Sequence, residues 1–256
     1  MVESLKLIGY LIFGIYVATS LWLLVNGLVQ LHLLWHYKKK KAIVTTNALP
    51  TELPFVSIQV PVYNEKYVIE RLLTALSRLD YPKDLFEIQV LDDSTDETSA
   101  IIDRVAYRLQ KEALHISVMR RGNRTGYKAG ALQHGLPFCK GDLIAIFDAD
   151  FIPAPSFLKN MVSHFADANT GLVQARWSHL NREQNSLTRI QTILLDTHFS
   201  IEQGGRSKAG YFINFCGTAG IWRRQCIIDA GGWDGDVLSE DLDLSYRAEL
   251  KRWQLI

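Results

Sequence analysis

Hydrophobic positions open the chain as one unbroken block. From Leu7 to Leu34 there are 28 residues without a formal charge, and the strongly polar side chains among them, Asn26, Gln30 and His32, gather toward the end. As a helix this run spans about 42 Å at about 1.5 Å per residue, enough to cross a bilayer with room for tilt. Trp22, Trp35 and Tyr37 are placed to anchor at membrane interfaces. A helix of this length in a soluble core shows a polar face, and the apolar stretch of a cleaved leader is only about 7–15 residues. The pattern therefore predicts one membrane-spanning helix within residues 1–41. Lys38–Lys41 follow it at once, and by the positive-inside rule they place the rest of the chain on the cytoplasmic side.

Residues 42–54 carry two prolines and no periodicity, so they read as a linker. Strand and helix signals then alternate. Phe55–Val60 is a short apolar strand; Val68, Ile69, Leu72, Leu73 and Leu76 recur at helical spacing. Phe86–Leu91 is the next strand, Ile101, Val105 and Leu109 mark a helix, Ile116–Met119 a strand and Ala129–Leu136 a helix. Leu143–Phe147 is uninterrupted and apolar, as a buried parallel strand should be. Leu242, Tyr246 and Leu250 mark a last helix. The alternation predicts a Rossmann-like α/β domain over residues 55–256, with a mostly parallel central sheet and helices on both faces. Ligands of such sheets bind beyond the carboxyl ends of the strands, which directs attention to the residues just after each one.

Composition narrows the classes. At 48% hydrophobic and 21% charged, the 256 residues can bury a sizeable core, which excludes a disordered chain. Cys139, Cys216 and Cys226 are too few and too scattered for a disulfide framework or a zinc ribbon. The net charge of +1 hides an asymmetry: residues 1–41 hold five lysines against one glutamate, and the remainder holds 23 basic against 26 acidic residues. A slightly acidic body lacks the basic face of a nucleic-acid binder. No GxGxxG follows the first strand, which disfavours a dinucleotide dehydrogenase.

Three acidic clusters stand where ligands would be met. Asp92-Asp93-Ser94-Thr95-Asp96 follows one strand, Asp148-Ala149-Asp150 another, and Ser239-Glu240-Asp241 precedes the last helix. In extended backbone, residues two apart share a side, so an Asp-x-Asp pair can meet one hard divalent cation. Mg²⁺ and Mn²⁺ accept such sparse oxygen sites when phosphates complete them. Taken singly, each cluster has a plainer reading: the first and third as helix caps with acidic first turns, the second as a solvated turn.

The words between the clusters are more specific. QVPVYNE (Gln59–Glu65), VLDDSTDET (Val90–Thr98), GYKAGAL (Gly126–Leu132), FDADF (Phe147–Phe151) with Pro153, QARW (Gln174–Trp177), GTAGIWR (Gly217–Arg223), GGWD (Gly231–Asp234) and SEDLDLSYRAELKRW (Ser239–Trp253) follow in order. Together they resemble family 2 glycosyltransferases of the GT-A fold, in particular the cellulose-synthase-like A and C synthases of mannan, glucomannan and glucan backbones. The resemblance covers residues 55–256. It implies a membrane-anchored inverting enzyme that moves a hexose from UDP-glucose or GDP-mannose to a growing β-linked polysaccharide. Alternatives are transfer of one sugar to a lipid-linked or small acceptor, and a non-catalytic sugar-nucleotide-binding subunit.

The same resemblance implies roles. Tyr63, Glu65, Asp92 and Asp93 would hold the nucleoside; Lys128 and Asp148 the diphosphate; Asp148 and Asp150 a Mg²⁺ or Mn²⁺ ion; Asp241 would be the general base. Glu240, Cys216, Gly217 and Thr218 would lie near the acceptor sugar. Trp177 and Trp233 read either as stacking faces for a glycan or as core aromatics. Expected partners are the nucleotide sugar, the acceptor and the bilayer, with no nucleic acid. The resembled synthases carry a further Gln-x-x-Arg-Trp motif and more membrane helices, so the sequence reads as a fragment or a truncated paralogue. The stretch Glu249–Trp253 begins with Glu and reads instead as the end of the Asp241 helix.

Overall fold

The computed structural model describes residues 2–39, 50 and 52–256. Most of the expected linker, and Lys40 and Lys41, lie outside the described residues. The apolar block forms one helix, α1 (Val2–Lys39), about 57 Å long at 1.5 Å per residue. Among the described residues it is the one helix long and apolar enough to cross a membrane, with a mean hydropathy of 2.0 over an 18-residue window within Lys6–Lys39.

Two compact units are present. One joins α1 to Ser178–Tyr211; the other holds the described residues between the helix and Trp177, with Phe212–Ile256. In the first unit, Asn185 caps α6 (Ser186–Thr197) in a reciprocal box. The Thr188 amide donates to Asn185 Oδ1 at 2.9 Å, and the Asn185 amide donates to Thr188 Oγ1 at 3.1 Å. A π-helical turn, His198–Gln203, leads into α7 (Gly204–Ala209). Here α7 lies so close to α1 that a Cβ on Gly205 would sit 2.7 Å from the Leu33 carbonyl oxygen. Gln30 donates to Glu202 Oε1 at 3.0 Å. Lys208 donates to the Tyr37 carbonyl at 2.9 Å.

The second unit is a seven-stranded sheet in the order β3-β2-β1-β4-β6-β5-β7. Its strands are β1 (Val56–Val62), β2 (Phe86–Asp92), β3 (Ile116–Met119), β4 (Leu143–Ile146), β5 (Thr170–Gln174), β6 (Gly220–Arg223) and β7 (Gln254–Leu255). The first four run parallel, β6 is antiparallel to both β4 and β5, and β7 is parallel to β5. The predicted Rossmann-like, mostly parallel architecture is present, with an antiparallel strand inserted beside the switch point. Helices α2 (Ile69–Leu76) and α3 (Thr98–Lys111) cover one face, and α4 (Tyr127–Gly135), α8 (Arg224–Asp229) and α9 (Glu240–Leu250) the other. The remaining helix, α5 (Phe157–Val162), packs with the first face.

Both faces are buried, so the strands read as apolar runs. Val56, Ile58, Val60 and Val62 point to the first face, and Ile144 and Ile146 to the second. Polar side chains also enter the second face, in register. Ser57 donates to Glu87 at 2.8 Å, and Gln59 to Gln89 at 3.2 Å. The Lys140 amide and the Gly141 amide complete this ladder on Glu87 and Ser57. Trp222 is fully buried, edge-on to Phe215 and to Trp233, so Trp233 is a core aromatic. One expectation is corrected: α9 stops at Leu250. Lys251 is its C-cap, Arg252 takes φ +70°, and the chain turns there to add β7 to the sheet edge.

The close approach of α7 to α1 makes Gly205 a test of the first unit. Gly205→Val forces a side chain into backbone and should cost about 1–3 kcal/mol. Limited trypsin digestion should then cut after Arg206 and Lys208 faster than in the parent chain.

Candidate active site

A cavity of about 390 Å³ opens beyond the carboxyl ends of β1, β2 and β4. Tyr63 and Glu65 reach it from the turn after β1, Asp93 from the end of β2, Lys128 from the first turn of α4, and Asp148 and Asp150 from the loop after β4. Six of the residues singled out in the sequence therefore share one wall-to-wall space.

Asp92 is not among them. Adjacent residues of a strand point to opposite sides, and Asp92 turns into the protein, 2% exposed. Its carboxylate accepts from the Ser94 amide at 3.0 Å, Ser99 Oγ at 2.7 Å and Arg120 Nε at 2.8 Å. Burial alone would raise its pKa, but the hydrogen bonds from Ser99, Ser94 and Arg120 outweigh burial and hold it below the usual carboxylate range. Asp92 is thus a brace for the strand ends. Asp93 faces the cavity and is clamped from behind by Arg121, whose guanidinium grips both carboxylate oxygens. Arg121 also donates to the carbonyls of Thr125 at 2.8 Å and Tyr127 at 3.0 Å, which fixes the entry into α4.

The centre of the site is an ion pair. Lys128 Nζ lies 2.5 Å from Asp148 Oδ1 and donates to the Gly217 carbonyl at 2.8 Å. The Asp148 amide donates to Thr218 Oγ1 at 2.9 Å, so the loop after β4 is tied to the loop before β6 from both sides. Gly217 holds φ +79°, a conformation that costs glycine little, and a Cβ there would meet Asp241 Oδ2 at 3.3 Å and Lys128 Nζ at 3.6 Å. Asp241 and Lys128 therefore flank one glycine. Asp241 accepts through Oδ1 from Ser239 Oγ at 2.7 Å. Its carbonyl accepts from Ser245 Oγ, which accepts in turn from the Phe215 amide at 2.8 Å. The Cys216 amide donates to Gln174 Oε1 at 2.9 Å. Cys216, Gly217 and Thr218 thus form a pinned strap against α9, while Glu240 opens that helix half-exposed and does not line the cavity.

The carboxylates that line the cavity, and Asp241 beside it, feel one another. Burial raises the Asp148 pKa most, Lys128 pulls it back, and the charges of Asp150 and Asp241 push it up again, leaving it above the usual value. Burial also raises that of Glu65, with further contributions from Asp150 and then Asp148. Such an excess of clustered negative charge fits a cation. Among the described residues no group of three or more His, Cys, Asp or Glu forms a protein-only metal cage. The donor set fits an ion that completes its shell with ligand phosphates.

Sequence reasoning passed over Arg120 and Arg121, and gave Gln174 of the QARW motif no role of its own. The arginines follow β3 at a strand end, the same signal that marked the acidic clusters, and pair with the two aspartates at the end of β2. Trp177, half-buried, donates through Nε1 to the Thr218 carbonyl at 3.4 Å and packs edge-on to Phe151.

Comparison with known proteins gives a consistent set of relatives. Residues 57–228 match the family described as Glycosyl transferase family 2. Glucomannan 4-beta-mannosyltransferase 1 of Cyamopsis tetragonoloba is 42% identical over 210 residues, covering 79% of this chain and 40% of that protein. Glucomannan 4-beta-mannosyltransferase 7 of Arabidopsis thaliana is 41% identical over 208 residues, covering 79% and 37%. The chain spans about two fifths of the length of these curated relatives. Among solved structures, the mannosyltransferase PcManGT from Pyrobaculum calidifontis, in complex with GDP-Man and Mn²⁺, superposes with a TM-score of 0.73 at 28% identity. That match covers 90% of this chain and 61% of PcManGT. TarS of S. aureus, residues 1–349 with UDP-GlcNAc, shares the fold at a TM-score of 0.54 and 20% identity, covering 77% and 53%.

The clamp behind Asp93 is directly testable. Arg121 and Asp93 are both largely buried, so Arg121→Met leaves a carboxylate without its partner. Loss of one member of such a pair costs about 3–5 kcal/mol, which chemical denaturation should register as a lower midpoint at unchanged slope.

Proposed function

The chain belongs to Glycosyl transferase family 2, and from that membership and its site we propose that it transfers a hexose, with inversion, from a nucleotide sugar to a growing β-linked polysaccharide. The observation that carries the proposal is the meeting of Lys128, Asp148 and Asp241 around Gly217. Donor-side and acceptor-side groups are thereby brought to one point. The glucomannan mannosyltransferases and PcManGT with its GDP-Man support GDP-mannose as the donor in preference to UDP-glucose. The Mn²⁺ of PcManGT supports a divalent ion here, Mn²⁺ or Mg²⁺. Length and hydropathy of α1 support a membrane anchor, and the lysines at its end support a cytoplasmic body.

In this reading Tyr63, Glu65 and Asp93 hold the nucleoside, and Asp148 and Asp150 hold the divalent ion together with the diphosphate. When bound, that ion neutralises charge on the departing nucleoside diphosphate. Lys128 adds a point charge on the same side; its pairing with Asp148 and the Gly217 carbonyl keeps it at hand. An acceptor hydroxyl is a poor nucleophile near neutral pH, so Asp241 takes its proton as the new bond forms. Hydrogen bonds from Ser239 Oγ and the Leu242 amide orient that carboxylate, and the Ser245 bridge holds the backbone of Asp241. Gly217 leaves open the space between the two sets of groups that a side chain would fill. One in-line attack then converts an α-linked donor to a β-linked product.

Two variants separate the halves of this reading. Asp148→Asn combined with Asp150→Asn should abolish Mn²⁺-dependent binding of GDP while the melting temperature stays near that of the parent. Undiminished metal-dependent binding would reduce the pair to a turn. Asp241→Asn should keep GDP binding and lower turnover by about two to four powers of ten, the usual worth of a general base. Because Asn caps a helix about as well as Asp, a purely structural role would leave both measurements unchanged.

A further inference from the structure

Arg124 has no part in the mechanism above, yet it covers the aromatic face that the donor's base would use. Its guanidinium carbon lies 3.4 Å from the centroid of the Tyr63 ring and 5.0 Å from that of Tyr127. All three side chains line the same cavity as Lys128 and Asp148. The neighbouring arginines are held differently: Arg120 is paired with Asp92 and Asp103, and Arg121 with Asp93. Arg124 is exposed, and among the described residues no carboxylate holds it. Its stacking on tyrosine is a weak tether, worth about a factor of two to five at an exposed position.

A planar guanidinium and a planar base need the same π-face, and at 3.4 Å from the centroid Arg124 leaves no room for a second layer on that side of Tyr63. We propose that Arg124 is a binding residue with two positions: it stands in for the base on Tyr63, and on donor binding it moves to the diphosphate. The inference rests on the nucleotide-sugar reading of this cavity. Three features favour the second position. Arg124 precedes Lys128 by four residues, so both cations approach the cavity from one side. That side is also the amino-terminal end of α4, where the helix dipole favours an anion. The forked donors of a guanidinium match phosphate oxygens, to which a displaced arginine can make two parallel bonds. The exchange couples recognition of the base to closure on the phosphates, because one side chain cannot occupy both places.

The test compares two probes, GDP and guanosine, on the full chain in the presence of Mn²⁺, by calorimetry or ligand-observed magnetic resonance. Arg124→Ala should weaken GDP binding about tenfold, the loss of a charge-assisted contact, and tighten guanosine binding about two- to fivefold by freeing Tyr63. In a Tyr63→Leu background the gain for guanosine should vanish, because no shared face remains. Weaker binding of both probes would make Arg124 a direct ligand of the base and overturn the exchange; unchanged binding of both would overturn any role. A parent chain that binds neither probe would overturn the nucleotide-sugar reading itself, an outcome distinct from a parent that binds both and a variant that matches it.

Discussion

The 2.5 Å pair between Lys128 and Asp148 is the contact on which the arrangement of the cavity depends. Parallel strands end together, so their loops crowd carboxylates into one place. Burial raises the proton affinity of Glu65 and Asp148, and neighbouring carboxylates, Asp150 and Asp148 for the first and Asp150 and Asp241 for the second, raise it further. One ammonium group from the first turn of α4 offsets part of the charge and, through the Gly217 carbonyl, ties the loop after β4 to the Cys216–Thr218 strap. The pair costs desolvation at both ends. It is better understood as a device that holds three loops in register than as a source of stability.

Much of the sheet was legible because both faces are covered. Runs such as Phe86–Leu91 and Leu143–Phe147 have no solvent side to declare, and their apolar character marks them as interior strands. The antiparallel β6 was not legible as a strand: Gly220–Arg223 is four residues long, and its pairing with β4 and β5 is a long-range choice that no local pattern encodes. The same holds for β7, two residues whose place depends on the turn at Arg252. The capped helix α6 was missed for a different reason. Its apolar residues Leu187, Ile190 and Leu194 recur at helical spacing, but they are exposed and belong to the unit built on α1.

At the site, sequence motifs located the right loops and stopped short of orientation. Asp92 and Asp93 are neighbours of the same type, and only the pleat decides that one turns inward to Ser99 and Arg120 while the other faces the cavity. Trp233 and Trp177 were equivalent as aromatic residues after turns; packing against Trp222 and Phe215 puts the first in the core. Cations were harder to place than anions, because an arginine after a strand can brace a loop, as Arg121 does, or lie loose on an aromatic ring, as Arg124 does. Distinguishing the two required distances.

In the proposed mechanism Lys128 and the Asp148–Asp150 loop hold the leaving group on one side of the anomeric carbon while Asp241 serves the acceptor from the other. The most direct measurement is the anomeric configuration of the sugar added from GDP-α-mannose to a mannan oligosaccharide, read by magnetic resonance of the newly formed linkage. A β-linkage is expected from the first transfer onward. An α-linked product would contradict it, because retention cannot arise from a single displacement with one base opposite the leaving group.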